Sequence, residues 1–156
     1  MTLSGYATIA ISACLHAEPP LLSGPMASPI RVVLAEDHDD LRRTLRVLIA
    51  DEPDLTPVAD TPLLDDVIPL CQAHAADVVV LDLELQGKLT LKRLPQLREQ
   101  LPDVRFVVFS GHAHPEMVKH ALEAGASAYI SKSSDSDELV HAIRQVMVDG
   151  GVPGAP

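Results

Sequence analysis

Short apolar runs alternate with longer amphipathic stretches along most of this chain. The runs cover residues 30–35, 55–59, 78–82, 105–109 and 128–131. The third begins with Val78-Val79-Val80-Leu81 and ends in Asp82, so apolar and polar positions do not alternate within it. Runs of this length that are apolar throughout and rich in β-branched residues are typical of strands covered on both faces. The pattern therefore predicts five buried strands.

The stretches between these runs repeat apolar residues at helical spacing. In the first stretch Leu41, Leu45 and Leu48 fall on one face of a helix, which is the arrangement of a helix packed on a core. Its arginines are expected to point outward: Arg42, Arg43 and Arg46. A second helix is predicted over residues 63–74, whereas residues 84–88 are predicted to be a loop.

Proline and glycine mark the ends of the later helices. Pro95 interrupts a leucine pattern between residues 91 and 97, so that helix is expected to start late or to kink, because an interior proline removes one hydrogen bond. Pro115 suits the first turn of the fourth helix, and Gly125 suits its C-terminal cap. Residues 134–137 supply capping side chains for a last helix that Gly150-Gly151 would end.

Five repeats of strand and helix predict an α/β fold of the (βα)5 type, with a doubly wound parallel sheet and helices on both faces. In such sheets, ligands bind in the crevice beyond the carboxyl ends of the strands. The polar residues that follow the strands are therefore the first candidates for a functional site.

Four of the predicted strands end in polar residues that could form one site: Glu36, Asp37, Asp82, Ser110 and Lys132. Each of these alone has an ordinary explanation, since strand-end aspartates often cap turns and acids are favoured at helix N-termini. Their occurrence together at one edge of the sheet is harder to explain in that way. It favours a site of three carboxylates, one hydroxyl and one ammonium.

Carboxylates placed about 4 Å apart repel one another by roughly 4 kcal/mol per pair at an effective dielectric near 20. Such a cluster therefore needs a bound proton or cation. Carboxylate oxygens and a loop carbonyl suit Mg²⁺, which commonly joins carboxylates to a phosphate. A carboxylate can also attack phosphorus as a nucleophile. Lys132 and Ser110 could then contribute a positive charge and a hydrogen bond to the phosphoryl oxygens.

Composition removes several other functional classes. The chain has 156 residues, which suits one domain, and a formal net charge of −10, which argues against direct nucleic-acid binding. Cys14 and Cys71 form no disulfide pattern and fit a reducing, cytoplasmic compartment. No apolar run approaches the roughly 20 residues of a membrane span, so no membrane partner is expected.

The two ends of the chain differ in composition from the middle. Residues 1–28 contain no lysine or arginine and are expected to be a disordered leader, or the result of a mis-assigned start if Met26 is the true one. Residues 150–156 resemble a linker. The folded domain is thus expected to cover residues 29–149.

The middle of the chain resembles the receiver domains of two-component response regulators. The resemblance rests on Glu36-Asp37-His38 after the first strand, on Val-Val-Val-Leu-Asp82-Leu, on Ser110-Gly111 and on Tyr129-Ile-Ser-Lys132. Residues 121–129, ALEAGASAY, are similar to receivers that precede LuxR-type effectors. The resemblance implies a flavodoxin-like sheet with strand order 2-1-3-4-5.

The resemblance also implies roles for individual residues. Asp82 would accept a phosphoryl group from a histidine kinase or a histidine phosphotransfer protein. Mg²⁺ would be held by Asp82, Asp37, Glu36 and the main-chain carbonyl of Glu84. Ser110 and Lys132 would respond to the phosphoryl group, and Tyr129 would follow Ser110 as a switch. The output would be contact with a downstream effector domain or protein, and a homodimer is possible.

Some features depart from the family pattern and leave alternatives open. Glu84 adds a carboxylate beside Asp82, and Gln86 stands where the family usually has proline. One alternative is an aspartate-nucleophile phosphatase of the haloacid dehalogenase type, although Glu84 replaces its second aspartate. Another is a scaffold that does not depend on phosphorylation. A zinc site at His112, His114 and His120 has little support from the spacing of those residues.

Overall fold

The computed structural model describes residues 28–112 and 114–149. Within them the sheet strands are β1 (Ile30–Ala35), β2 (Leu55–Thr61), β3 (Val78–Leu81), β4 (Arg105–Ser110) and β5 (Ala128–Ser131). The helices are α1 (Asp39–Ala50), α2 (Val67–His74), α3 (Leu94–Gln100), α4 (Pro115–Ala124) and α5 (Ser136–Val148). The expected leader, apart from Ser28, and the expected tail with Gly150-Gly151 lie outside the described residues.

The five sheet strands lie in the order β2-β1-β3-β4-β5, and every neighbouring pair is parallel. This confirms the predicted fold class and the predicted strand order. In the register of the central pair, Ala35 lies opposite Leu81. Because both strands end there, the residues that follow them emerge side by side at the carboxyl edge.

The sheet separates two hydrophobic cores. One contains α2, α3 and α4 residues packed on β3 through Val79 and Leu81, and the other contains α1 and α5 residues packed on β3 through Val78 and Val80. All four of these β3 residues are at most 2% exposed. The apolar run of β3 is therefore buried on both faces, as its lack of alternation predicted.

The edge strand β2 extends two residues beyond its predicted range of 55–59, to Thr61. It contains Pro57, which lies opposite Val32 next to a shift in register. Proline has no N–H to donate to a neighbouring strand. An edge strand tolerates this loss because one of its two sides has no partner strand. The extension brings Asp60 and Thr61 to the carboxyl edge.

Proline and glycine act at the helix ends as predicted. A 3-10 turn, Leu91–Arg93, precedes α3, and Pro95 falls in the first turn of α3, so the late start is confirmed. Pro115 begins α4. Gly125 ends it with φ +118°, and a Cβ there would lie 2.7 Å from Cγ of Arg98. A side chain at that position would strain the backbone and collide with α3.

Two local features differ from the predictions. The N-cap of α5 is Asp135, within the predicted range 134–137, but its side chain makes no capping hydrogen bond. The loop predicted at residues 84–88 contains a small antiparallel hairpin, in which Glu84–Leu85 pairs with Lys88–Leu89. Its turn is formed by Gln86 and Gly87, both at positive φ, which is the backbone of a tight hairpin turn.

Among the residues that the structure describes, no helix combines the length and the apolar character needed to cross a membrane.

Candidate functional site

Three carboxylates meet at the carboxyl edge of the sheet. Glu36 and Asp37 follow β1, Asp82 follows β3, and these two strands are neighbours. One oxygen from each carboxylate lies within 4.8 Å of the others. Glu36 and Asp82 are only 2% and 6% exposed. The structure therefore brings together the three acids that the sequence placed at this edge.

Lys132 comes from the end of β5 and reaches across the sheet edge to these acids. Its Nζ lies 2.8 Å from Oδ2 of Asp82 and 2.8 Å from Oε1 of Glu36. Burial by itself would lower the pKa of Lys132, but the hydrogen bond to Asp82 and the pairing with Glu36 outweigh it, so the pKa is raised. Lys132 is therefore held as an ammonium between two carboxylates.

Glu36 shows why the cluster can accept a cation. Burial raises the pKa of its carboxyl, against the stabilising effects of Lys132 and of the His38 N–H, which donates to Oε2 at 3.1 Å. Oε1 is buried, and although it lies at ion-pair distance from Lys132, it has no hydrogen bond of good geometry. A buried oxygen in this situation is a suitable ligand for a small cation.

The hairpin after β3 closes one side of the cluster. The Glu84 N–H donates to Oδ1 of Asp82 at 3.1 Å, and the Gln86 N–H donates to Oδ2 of Asp37 at 2.9 Å. The Thr90 hydroxyl, which is buried, donates to the main-chain oxygen of Asp82 at 2.9 Å. Thr90 could not be predicted from the sequence, because a lone threonine in a loop gives no signal of its role.

Ser110 lies at the end of β4, beside Lys132, whose N–H donates to the Ser110 carbonyl at 2.8 Å. Ser110 is fully buried, and its hydroxyl oxygen accepts a hydrogen bond from the His112 N–H at 3.1 Å. The Tyr129 hydroxyl donates to the carbonyl of His112. The proposed switch residues Ser110 and Tyr129 are thus connected through the backbone of His112.

The acids open into a shallow cleft of about 560 Å³. Its walls are formed by these residues: Glu36, Asp37, His38, Leu41, Asp82, Glu84, Gly111, His112 and Lys132. Ser110 and Tyr129 do not line this cleft. His112 does line the cleft, with Nε2 at 3.7 Å from Oε2 of Glu84, although its sequence context had suggested only a zinc ligand.

No metal site formed by the histidines is found in the described part of the chain. There the three acids are the only group of three or more carboxylate, imidazole or thiol side chains close enough to share an ion. His114 instead occupies the N-cap position of α4. Within the described residues, we therefore expect a cation to bind at the three acids and not at the histidines.

Arg42 departs from its predicted position. It was expected to point outward with Arg43 and Arg46, but its side chain is only 16% exposed, against 73% and 46% for the other two. The guanidinium donates to the main-chain oxygen of Glu36 at 2.8 Å. The prediction was wrong because helical spacing treats a helix in isolation. In the structure the end of β2 lies beside α1.

Comparison with known proteins identifies the family. Residues 32–144 match the family model described as the response regulator receiver domain. The nitrate/nitrite response regulator protein NarL of Escherichia coli K12 is 35% identical over 117 residues, which are 75% of this chain and 54% of NarL. The transcriptional regulatory protein DegU of Brevibacillus brevis is 30% identical over 78% of this chain and 51% of DegU. The chain thus spans about half the length of these curated relatives.

A solved structure supports the same assignment. The crystal structure of a two-component response regulator of the LuxR family from Aurantimonas sp. SI85-9A1 aligns with a TM-score of 0.73 at 33% identity. The alignment covers 78% of this chain and 87% of that one. The residues that match the family model, 32–144, include nearly all of the five-stranded sheet and the whole acid cluster. The chain therefore belongs to the family of response regulator receiver domains.

Proposed function

We propose that this protein is a phosphorylation-dependent signalling switch and that Asp82 is its phosphoryl acceptor. The observation that carries the proposal is the position of the Asp82 carboxylate, which lies in a cluster of acids and 2.8 Å from the Lys132 ammonium. An oxygen of Asp82 would form a bond to phosphorus while the bond from phosphorus to a partner's histidine nitrogen breaks. The electron pair would leave with the imidazole, which takes up a proton from solvent.

We propose that the metal is Mg²⁺, held by Glu36, Asp37, Asp82 and the main-chain carbonyl of Glu84. Oxygen ligands and room for several waters suit Mg²⁺ better than a softer metal. When bound, it would supply positive charge close to the phosphoryl oxygens. Lys132 would supply the other positive group, so Mg²⁺ and Lys132 together would match the charge of the three carboxylates before phosphorylation and would attract the more negative acyl phosphate after it.

The response to phosphorylation would pass through Ser110 and Tyr129. A phosphoryl group carries almost two negative charges at neutral pH, where the Asp82 carboxylate carried one, and offers strong acceptor oxygens. The Ser110 hydroxyl, which now accepts from His112, can turn to donate to a phosphoryl oxygen. This would change the support of the His112 backbone, to which Tyr129 is bonded. The expected outcome is a changed surface around α4 and β5.

The relatives suggest the partners. NarL is named as a response regulator, and the Aurantimonas protein is assigned to the LuxR family. We therefore propose that the phosphoryl donor is a histidine kinase or a histidine phosphotransfer protein and that the output is contact with an effector domain or protein. Because the formal net charge of the chain is −10, we do not expect it to contact nucleic acid directly.

The acceptor assignment is tested by labelling with acetyl phosphate and Mg²⁺. Wild type is expected to form an acid-stable, base-labile acyl phosphate, and Asp82→Asn is expected to form none, because an amide cannot act as the nucleophile. Asp40→Asn, which changes a carboxylate that is 84% exposed, serves as the control and should label like wild type. Labelling of Asp82→Asn at full strength would contradict the acceptor assignment, and absence of labelling in wild type would favour the scaffold alternative.

A further inference from the structure

The guanidinium of Arg42 makes three hydrogen bonds, one with each of its three nitrogens. Its Nη1 donates to the main-chain oxygen of Glu36 at 2.8 Å, its Nε donates to Oδ1 of Asp60 at 3.1 Å, and its Nη2 donates to Oδ1 of Asp39 at 2.7 Å. These acceptors belong to the β1–α1 loop, to β2 and to the first turn of α1. One guanidinium therefore joins three elements next to the acid cluster.

The three contacts match the fixed, planar geometry of a guanidinium. Five N–H donors in one plane can serve three separate acceptors at once, which a lysine ammonium on a flexible stem cannot reproduce at these positions. Arg46 provides a direct comparison, because it pairs with Oδ2 of the same Asp60 at 2.7 Å and makes no described contact with Glu36. The two arginines share a partner and differ in their contact with the site.

Arg42 completes the immobilisation of the Glu36 backbone. The Glu36 N–H donates to the carbonyl of Thr61 at 3.0 Å, and the Glu36 carbonyl accepts from Arg42. Both polar groups of this peptide segment are thereby tied to neighbouring elements. Since Glu36 and Asp37 are consecutive, an arginine that fixes the backbone at Glu36 also limits where the Asp37 side chain can lie.

We infer that Arg42 is a positioning residue for the Mg²⁺ site: it holds the β1–α1 loop so that the carboxylates of Glu36 and Asp37 face Asp82 before the ion arrives. This inference rests on the proposed function. Arg42 touches neither the ion nor the phosphoryl group. Arg42 lowers the free-energy cost of ordering the ligands. Residues that orient metal ligands in this way typically change metal affinity by about 10- to 100-fold when they are removed.

The test compares Arg42→Gln with Arg46→Gln and Arg42→Lys in the full chain. Calorimetric titration with MgCl₂ gives the Mg²⁺ dissociation constant, and labelling with acetyl phosphate gives the phosphorylation rate across a Mg²⁺ series. For Arg42→Gln we expect the dissociation constant and the half-saturating Mg²⁺ concentration to rise by about tenfold. The rate at saturating Mg²⁺ should stay close to that of wild type, since excess ion orders the ligands and Asp82 is unchanged.

The two other variants separate positioning from charge and from stability. Arg46→Gln removes the same charge and a bond to the same aspartate, and it should leave Mg²⁺ affinity within about twofold of wild type, as expected for an exposed pair. Arg42→Lys keeps the charge but cannot make all three bonds, so its affinity should fall between those of wild type and Arg42→Gln. Thermal unfolding of each variant shows the folded fraction.

Several outcomes would overturn the inference. Arg42→Gln binding Mg²⁺ as tightly as wild type, or Arg46→Gln losing as much affinity as Arg42→Gln, would each contradict it. So would a fall in the saturated rate with no change in Mg²⁺ affinity. If Arg42→Gln does not fold, Arg42→Lys against Arg46→Gln decides the question, and equal affinities contradict positioning. Failure of wild type to bind Mg²⁺ would instead overturn the proposed function itself.

Discussion

The acid side of the site, formed by Glu36, Asp37 and Asp82, is held by more side-chain hydrogen bonds than the switch side, formed by Ser110, His112 and Tyr129, of which only His112 lines the cleft. On the acid side, β2 and Arg42 of α1 bind the main chain of Glu36, and N–H groups of the hairpin donate to the carboxylates of Asp82 and Asp37. On the switch side the two described side-chain bonds both end on the backbone of one residue, His112. Two neighbouring parts of one site are therefore supported to very different degrees.

The difference has a physical reason. Three carboxylates cannot be held close together by loosely placed chain, because their mutual repulsion would drive them apart, so the acid side needs many fixed contacts and a resident positive charge. The switch side carries little charge, and α4 begins there without a side-chain cap among the described residues. Regions with few bonds rearrange at low free-energy cost. A firmly held acid cluster thus lies beside residues that can rearrange at a lower free-energy cost.

The largest effect is expected from removing Lys132, the lysine that balances the charge of the acids. Lys132→Met leaves buried carboxylates without their counter-charge, and we expect the free energy of unfolding without Mg²⁺ to fall by about 2 kcal/mol, somewhat less than for a fully buried pair. Added Mg²⁺ should restore more stability to this variant than it adds to wild type, because the ion replaces the missing charge. Urea unfolding with and without Mg²⁺ measures both effects.

Lys119→Met is the control for that experiment. Lys119 lies on α4, where its side chain is 75% exposed and 3.8 Å from Glu123. Its removal should change the free energy of unfolding by less than about 0.5 kcal/mol with or without Mg²⁺. If both lysine variants behaved alike, the acid side would not depend on its resident charge.

Replacing Glu36 should have the next largest effect and a characteristic pH dependence. Burial raises the pKa of Glu36 above its usual value of 4.5, so the folded state keeps this proton to higher pH than the unfolded state does. The stability that this group contributes is therefore present at low pH and is lost as the pH rises through the folded-state pKa. Glu36→Gln should remove that loss, which makes the variant more stable than wild type at neutral pH without Mg²⁺.

The same substitution should weaken the response to Mg²⁺, because one ligand oxygen is replaced by an amide. Urea unfolding across pH, with and without Mg²⁺, measures both consequences in one series. Glu99→Gln on α3, at an exposed position, is the matched control and should show neither. A Glu36→Gln variant that is stabilised by Mg²⁺ as strongly as wild type would contradict the place of Glu36 in the ion site.

The smallest effect is expected on the switch side. Tyr129→Phe removes the hydrogen bond to the carbonyl of His112 and should cost about 1 kcal/mol or less. Hydrogen exchange should become faster for amides between β4 and α4 and stay unchanged in the β1–α1 loop. Mg²⁺ affinity should not change. A loss of affinity comparable to that of Arg42→Gln would show that the two sides are not independently supported.

Much of this architecture can be predicted from the sequence. The apolar run at Val78-Val79-Val80-Leu81 identifies the central strand because a strand buried on both faces has no polar positions to alternate. The acids and Lys132 could be assigned to one edge because parallel strands end at the same side of a sheet. The late start of α3 at Pro95 follows from the geometry of proline alone.

Other features could not be predicted, and each depends on a neighbour distant in sequence. The hairpin at residues 84–89 has strands of two residues, too short for any periodicity to be seen. Its turn residue Gln86 is held by Asp37, which lies 49 positions away. The half-buried position of Arg42 depends on Asp60, which lies in the extension of β2 beyond its predicted end.

Local periodicity and chain direction were sufficient to predict the five sheet strands, their helices and the polar groups at the carboxyl edge. The hydrogen bonds made by the oxygens of Glu36, Asp37 and Asp82, and the contact of Arg42 with Glu36, depend instead on tertiary packing. Hydrogen bonds and ion pairs act over about 3 Å. At that range a residue's role depends on which atoms pack beside it, and packing between distant segments leaves no periodic signal in the chain.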